Sequence, residues 1–113
     1  MADPTQVSKA LRAARELLAA GWCQEAIART DTGVAVYDEN KAATAFCLWG
    51  ACCRAVSDMG LNYQKDLRLM DAIAFALDET VGVCAVDWND TPGRTQLEVL
   101  AVVDAIIARL ESQ

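Results

Sequence analysis

Apolar side chains return every three or four residues over most of the chain, and the interruptions fall where caps and turns belong. Val7, Leu11, Ala14 and Leu18 lie on one line of a first helix, with Lys9, Arg12 and Glu16 left to water. Asp3-Pro4-Thr5-Gln6 supplies its start, a carboxylate to accept orphan amides, proline at the first helical position and glutamine three residues after the cap; Gly21 supplies its stop. Glu25 to Tyr37 then alternates loosely about Asp31-Thr32-Gly33, which predicts a short two-stranded ribbon. A lone hairpin is marginal in water, so this one must lie on the helices.

Asp38 is the expected cap of a second helix running to about Asp58, with Gly60 as its stop, and no charge falls between Lys41 and Arg54. Ala42, Phe46, Trp49, Cys53 and Val56 make its bulky side, while Ala43, Cys47, Gly50 and Ala51 leave the other side open to close approach. Asn62 or Gln64 opens a third helix with Tyr63, Leu67, Met70, Ala74 and Leu77 inward. Asp78 and Glu79 sit at its end, where the dipole disfavours negative charge, so fraying or a partner is expected there. Val81 to Val86 reads as an extended connector into the loop Trp88-Asn89-Asp90-Thr91-Pro92-Gly93-Arg94-Thr95. Thr95-Gln96-Leu97-Glu98 is a capping box for a last helix to about Glu111, with Val99, Val103, Ile106 and Leu110 in line and Leu100, Val102 and Ile107 beside them. The expected fold is mainly α: one helical domain over 1–113, a compact four-helix bundle with a two-stranded ribbon between helices 1 and 2.

The charge changes this picture by its placement. Residues 1–68 hold eight Lys/Arg and eight Asp/Glu, whereas residues 69–113 hold two against eight, so the second half carries the whole net charge of −6. Such a surface repels a phosphate backbone, which argues against nucleic-acid binding and leaves an acidic docking face for a basic protein partner, with Asp71, Asp78, Glu79 and Asp87 as its candidate residues. Self-association stays open. No apolar run approaches the ~20 residues of a membrane span, and Met1-Ala2-Asp3-Pro4 lacks the basic and apolar regions of a signal peptide, so a cytoplasmic protein is expected.

Composition excludes much chemistry. With no histidine, the commonest general base and metal ligand is missing, and with it the Ser-His-Asp, Cys-His and His-Glu-x-x-His templates. The five cysteines, Cys23, Cys47, Cys52, Cys53 and Cys84, include no Cys-x-x-Cys pair and read as buried apolar residues in a reducing compartment. Asp87, Asn89 and Asp90 do not follow a calcium-loop pattern. No metal and no cofactor is expected.

Two tryptophans stand beside amide and acid side chains, in Trp22-Cys23-Gln24 and Trp88-Asn89-Asp90. They either plug the end of the bundle while their polar neighbours satisfy loop backbone, or they form a shallow aromatic pocket with Asp90 and Arg94 as its charged groups and Gln24 and Asn89 as its polar readers. Thiol catalysis by Cys23 would need Arg94, Arg29 or a helix N-terminus to lower its pKa.

Three segments, "GWCQ" at 21–24, "FCLWGA" at 46–51 and "WNDTPGRTQLEVLAVVDAII" at 88–107, together resemble an uncharacterised family of short bacterial and bacteriophage proteins with Trp-Cys-Gln, Cys-x-x-Gly-Ala and Trp-Asn-Asp…Arg-Thr…Glu-Val motifs in that order. The resemblance implies a shared fold and a shared surface around Trp22, Cys23, Gln24, Trp88, Asn89, Asp90 and Arg94, and no activity. Glu25 departs from it, standing where a small residue commonly follows Gln24. The reading that results is a non-enzymatic intracellular interaction module, encoded by a phage or mobile element and acting on a host protein through its acidic half. The alternative is a small-ligand binder or minor enzyme using the Trp22/Trp88 loops.

Overall fold

The computed structural model describes residues 3–62 and 64–112, so the expected inward role of Tyr63 lies outside the described residues. Along them run α1 (Pro4–Ala20), β1 (Ala28–Thr30), β2 (Ala35–Val36), β3 (Ala43–Phe46), α2 (Leu48–Asp58), α3 (Leu67–Val81), α4 (Ala85–Asn89) and α5 (Gln96–Glu111). The protein is mainly helical, with a small antiparallel sheet in the order β2-β1-β3.

The first and last helices form as their local signals dictate. Asp3 accepts the Thr5 amide at 2.9 Å and Pro4 occupies the first turn of α1, whose buried stripe includes Val7, Leu11, Ala14 and Leu18. Thr95 and Glu98 complete the capping box of α5, which buries Val99, Val103, Ile106 and Ile107 and leaves Leu110 half-buried. The two helices pack antiparallel, clamped by Arg12 and Ser8 on Glu111 and by Arg15 on Asp104, while Gln96 Nε2 donates to the Leu18 carbonyl at 2.7 Å. That last bond satisfies one of the orphan carbonyls that every helix C-terminus leaves. The core is contiguous, joining these stripes to Ala51, Cys52, Ala55 and Val56 of α2 and to Leu69, Met70, Ile73 and Leu77 of α3.

The expected second helix is where sequence and structure part most. Its first ten residues are not helical: α2 begins at Leu48. Ala43–Phe46 instead pairs with β1, Ala28 facing Phe46 and Thr30 facing Ala43 across a bulge at Arg29/Thr30, so the ribbon becomes three strands. Asp38 and Asn40 turn the chain there. Asn40 Oδ1 accepts the Ala42 amide at 2.8 Å, and Arg54 of α2 donates to the carbonyls of Asp38 and Asn40. A local helical preference in Ala42-Ala43-Thr44-Ala45 loses to strand pairing and to these carbonyls being held by a distant guanidinium. Gly50 and Gly21 mark the closest approaches: a Cβ on Gly50 would stand 2.1 Å from the Ile27 carbonyl oxygen, and one on Gly21 equally close to that of Thr44.

Three further expectations change. α3 starts at Leu67 rather than Asn62 or Gln64, because Asn62 and Asp66 side chains bond back to the amides of Gln64 and Asn62 and hold a turn. Leu67 is 58% exposed and Leu69 and Ile73 take its inward place. The stretch from Val81 to Val86 is not extended: α3 runs to Val81, Gly82 turns in the left-handed region at φ 83°, and α4 follows, so Trp88 and Asn89 are helical rather than in a loop. The end of α3 is helical to Val81, past Asp78 and Glu79. Asp78 Oδ1 accepts the Ala85 amide at 2.8 Å, so the carboxylate that opposes one helix dipole favours the start of the next helix. Among the described residues no helix is long and apolar enough to cross a membrane.

Candidate functional site

The segment after α1 is held from two sides. Gly21 and Cys23 bracket Phe46 by backbone bonds of 3.1 Å each, a parallel extension of the sheet next to β3. The chain then turns at Glu25, whose φ of 62° is the sole non-glycine example of the left-handed region among the described residues. That conformation costs a residue with a Cβ about 1 to 2 kcal/mol. The expected small residue at this position now has a backbone reason.

Asn89, the last residue of α4, is fully buried and sits at the meeting point. A side-chain amide has two donor hydrogens and an oxygen with two lone pairs. Its oxygen accepts the Trp22 indole N–H at 2.8 Å and the Leu48 backbone N–H at 3.0 Å; its nitrogen donates to the Cys23 carbonyl at 3.1 Å and to Asp90 Oδ1 at 3.0 Å. Both donors to the oxygen are obligate, which fixes the orientation of the amide. Gln24 Nε2 reaches the carbonyls of Asn89 and Thr91 at 2.9 and 3.0 Å, and Asp90 Oδ1 also accepts the Glu25 amide at 2.9 Å. Trp22, Cys23, Gln24, Asn89 and Asp90 are thereby joined in one network that ties the first loop, the start of α2 and the end of α4.

Trp88 and Arg94 make a second, adjoining unit. The guanidinium carbon lies 4.0 Å from the Trp88 ring centre, Nε donates to the Trp88 carbonyl at 3.0 Å, and a terminal nitrogen reaches Glu98 at 3.3 Å. Arg94 therefore engages Trp88 and Glu98, while Asp90 engages backbone and Asn89: the two do not form the charge pair that their spacing suggests. The Leu48 and Glu25 amides, which complete the network, carry no side-chain signal and were invisible in the sequence.

The four buried thiols are poor nucleophiles. Desolvation first, and the neighbouring Cys47 next, push Cys23 up to about 11. Burial likewise lifts Cys53 to about 12 and raises Cys47 and Cys52. Cys47 lies outside the helix, at the cap of α2, where its sulfur accepts the Gly50 amide at 3.2 Å. Cys84 alone of the five is exposed.

The residues of the network all fall within 2–109, the span that matches the family of unknown function DUF6197. The chain belongs to this family. No curated protein and no solved structure matches it.

Outside the network, the DUF6197 chain sorts its carboxylates. In the second half Glu98, Asp104 and Glu111 have arginine partners, two of them from α1. Asp71, Asp78, Glu79 and Asp87 form no ion pair among the described residues and are exposed. Asp78 borders a small cleft of about 230 Å³ lined by Trp49, Ala74, Cys84, Ala85 and Val86, with Val83 54% exposed next to Cys84. Asp71 and Glu79 border a larger groove of about 680 Å³ against Phe75, which is 68% exposed. These apolar residues had no place in the sequence-based site, because a lone valine or phenylalanine has no spacing that marks it as exposed.

Proposed function

We propose that this protein is a non-enzymatic interaction module whose α3–α4 corner docks a basic, apolar segment of a partner protein. The observation that carries this reading is the coincidence of carboxylates that lack an ion-pair partner among the described residues with exposed apolar surface: Asp78 and the exposed Val86 line one cleft, and the exposed Val83 and Asp87 stand next to its lining residues Cys84 and Val86 along the chain. Apolar side chains bordered by charge are the usual make-up of a recognition patch, with the apolar part supplying affinity and the carboxylates steering approach. The Trp22–Asn89 network anchors the corner, since the buried Asn89 belongs to the same short helix that carries the exposed Val86 and Asp87. An intracellular setting and a host protein as the partner belong to the same proposal, in keeping with the bacterial and phage proteins that the motifs resemble.

A synthetic helical peptide with leucines on one face and lysines on the other serves as the probe, followed by backbone and indole NMR shifts. Shifts are expected at Val83, Val86 and the Trp49 indole, fading with added salt and with Asp87→Lys. Shifts confined to other surfaces, or indifferent to both salt and Asp87→Lys, would overturn the reading.

A further inference from the structure

The opposite flank of α3 carries a pattern that complements itself. Arg68, Ala72, Phe75 and Glu79 follow one another at spacings of four, three and four, which places them on one narrow stripe of the helix. Phe75 projects from it, 68% exposed, beside the half-buried Ala72 and Ala76. The groove that these small residues leave is completed by Pro4 and Val7 of α1 and Leu110 of α5. Neither Arg68 nor Glu79 has an ion-pair partner among the described residues.

The spacing has a symmetry. The midpoint between Arg68 and Glu79 coincides with that between Ala72 and Phe75. Two such helices laid antiparallel about this point therefore set each Phe75 on the Ala72 of the other, and each Arg68 beside the other's Glu79. Four-three-four spacing is the heptad seam, and in an antiparallel pair its alternate positions face each other in this way. The eleven steps along the helix from Arg68 to Glu79 span about 16 Å, so both ion pairs come into register at once. Alanine at the contact lets the axes approach to about 8 Å. A surface that presents both a projecting ring and the hollow for it meets the condition for an isologous two-fold contact.

We propose that a second copy of this chain is the occupant of the groove, giving an antiparallel α3–α3 dimer in which Phe75 of each protomer fills the hollow of its partner. The proposal goes beyond the interaction corner described above. Val83, Val86 and Asp87 lie off this stripe, so the dimer keeps two open clefts and binds a repeated partner bivalently.

Sedimentation velocity over a concentration series tests it. The wild-type chain is expected to dimerise, and Phe75→Ala to weaken the dimer by about ten-fold or more while leaving the circular dichroism unchanged and lowering the melting temperature only by what the lost association accounts for. Arg68→Glu and Glu79→Arg are each expected to be monomeric, because like charges then face each other twice. Mixed together they are expected to form a heterodimer, since one chain then carries acid at both positions and the other base at both. A wild-type chain monomeric at about 1 mM would overturn the proposal. So would a dimer indifferent to Phe75→Ala, or charge variants that fail to recover association on mixing. The mixing result does not involve the peptide probe, so the dimer and the docking corner fail independently.

Discussion

At the scale of single residues, Asn89 decides how the tryptophan-and-amide motifs are understood. Its four hydrogen bonds are all internal, and two of the groups it satisfies, the Leu48 amide and the Cys23 carbonyl, have no water to turn to once the loop is packed. Asn89→Ala is therefore expected to cost roughly 3 to 5 kcal/mol in denaturant unfolding, since several buried polar groups lose their partner together. A loss under about 1 kcal/mol would show that the network is dispensable. Glu25 predicts the opposite sign. With φ at 62°, Glu25→Gly removes a steric penalty and is expected to stabilise by about 0.5 to 1 kcal/mol, provided that the Glu25 amide keeps its bond to Asp90. Which residues belong together here was legible in the sequence, as two clusters of tryptophan with amide and acid. Their pairing was not: Asp90 and Arg94 are four apart and opposite in charge, yet a carboxylate near orphan amides and a guanidinium near an aromatic face each had a nearer use.

At the scale of elements, legibility followed locality. α1 and α5 were readable to within a residue or two because cap, stripe and stop all lie within the segment itself. The expectation for α5 can be checked directly: Thr95→Ala removes one half of a reciprocal cap and should lower stability by about 1 kcal/mol without altering the fold. Residues 38–47 failed for the converse reason. What sets them is the β1 edge some fifteen residues earlier and Arg54 several residues later, and neither leaves a period in the local sequence. The short α4 was also missed, since its start depends on the Asp78 carboxylate from the preceding helix rather than on a cap of its own.

At the scale of the whole molecule, the acidic second half is less uniform than its net charge suggests. Part of it closes the fold: Asp104 and Glu111 face α1 arginines, and their carboxyls are held below the ordinary range, Glu111 down to about 2, chiefly by hydrogen bonds from Arg15 and Arg12. Because these folded-state values are depressed, the stability they lend is complete above the unfolded carboxylate values and is lost as pH falls through the folded ones. Melting temperature is expected to decline from about pH 4.5 towards pH 2, less steeply in high salt because both pairs are exposed. An Arg12→Met chain should show a shallower decline; a stability that holds level through this window would exclude the pairs as contributors. The Asn89 junction bears on folding order as well. Its side chain closes loops of 67 and 41 residues to Trp22 and Leu48, so it can form only after three distant segments have already met. Interactions made after the rate-limiting step govern how fast a protein comes apart rather than how fast it assembles. Asn89→Ala is accordingly expected to speed unfolding by more than it slows folding, as a latch on the native state would, and stopped-flow unfolding and refolding rates read that split directly.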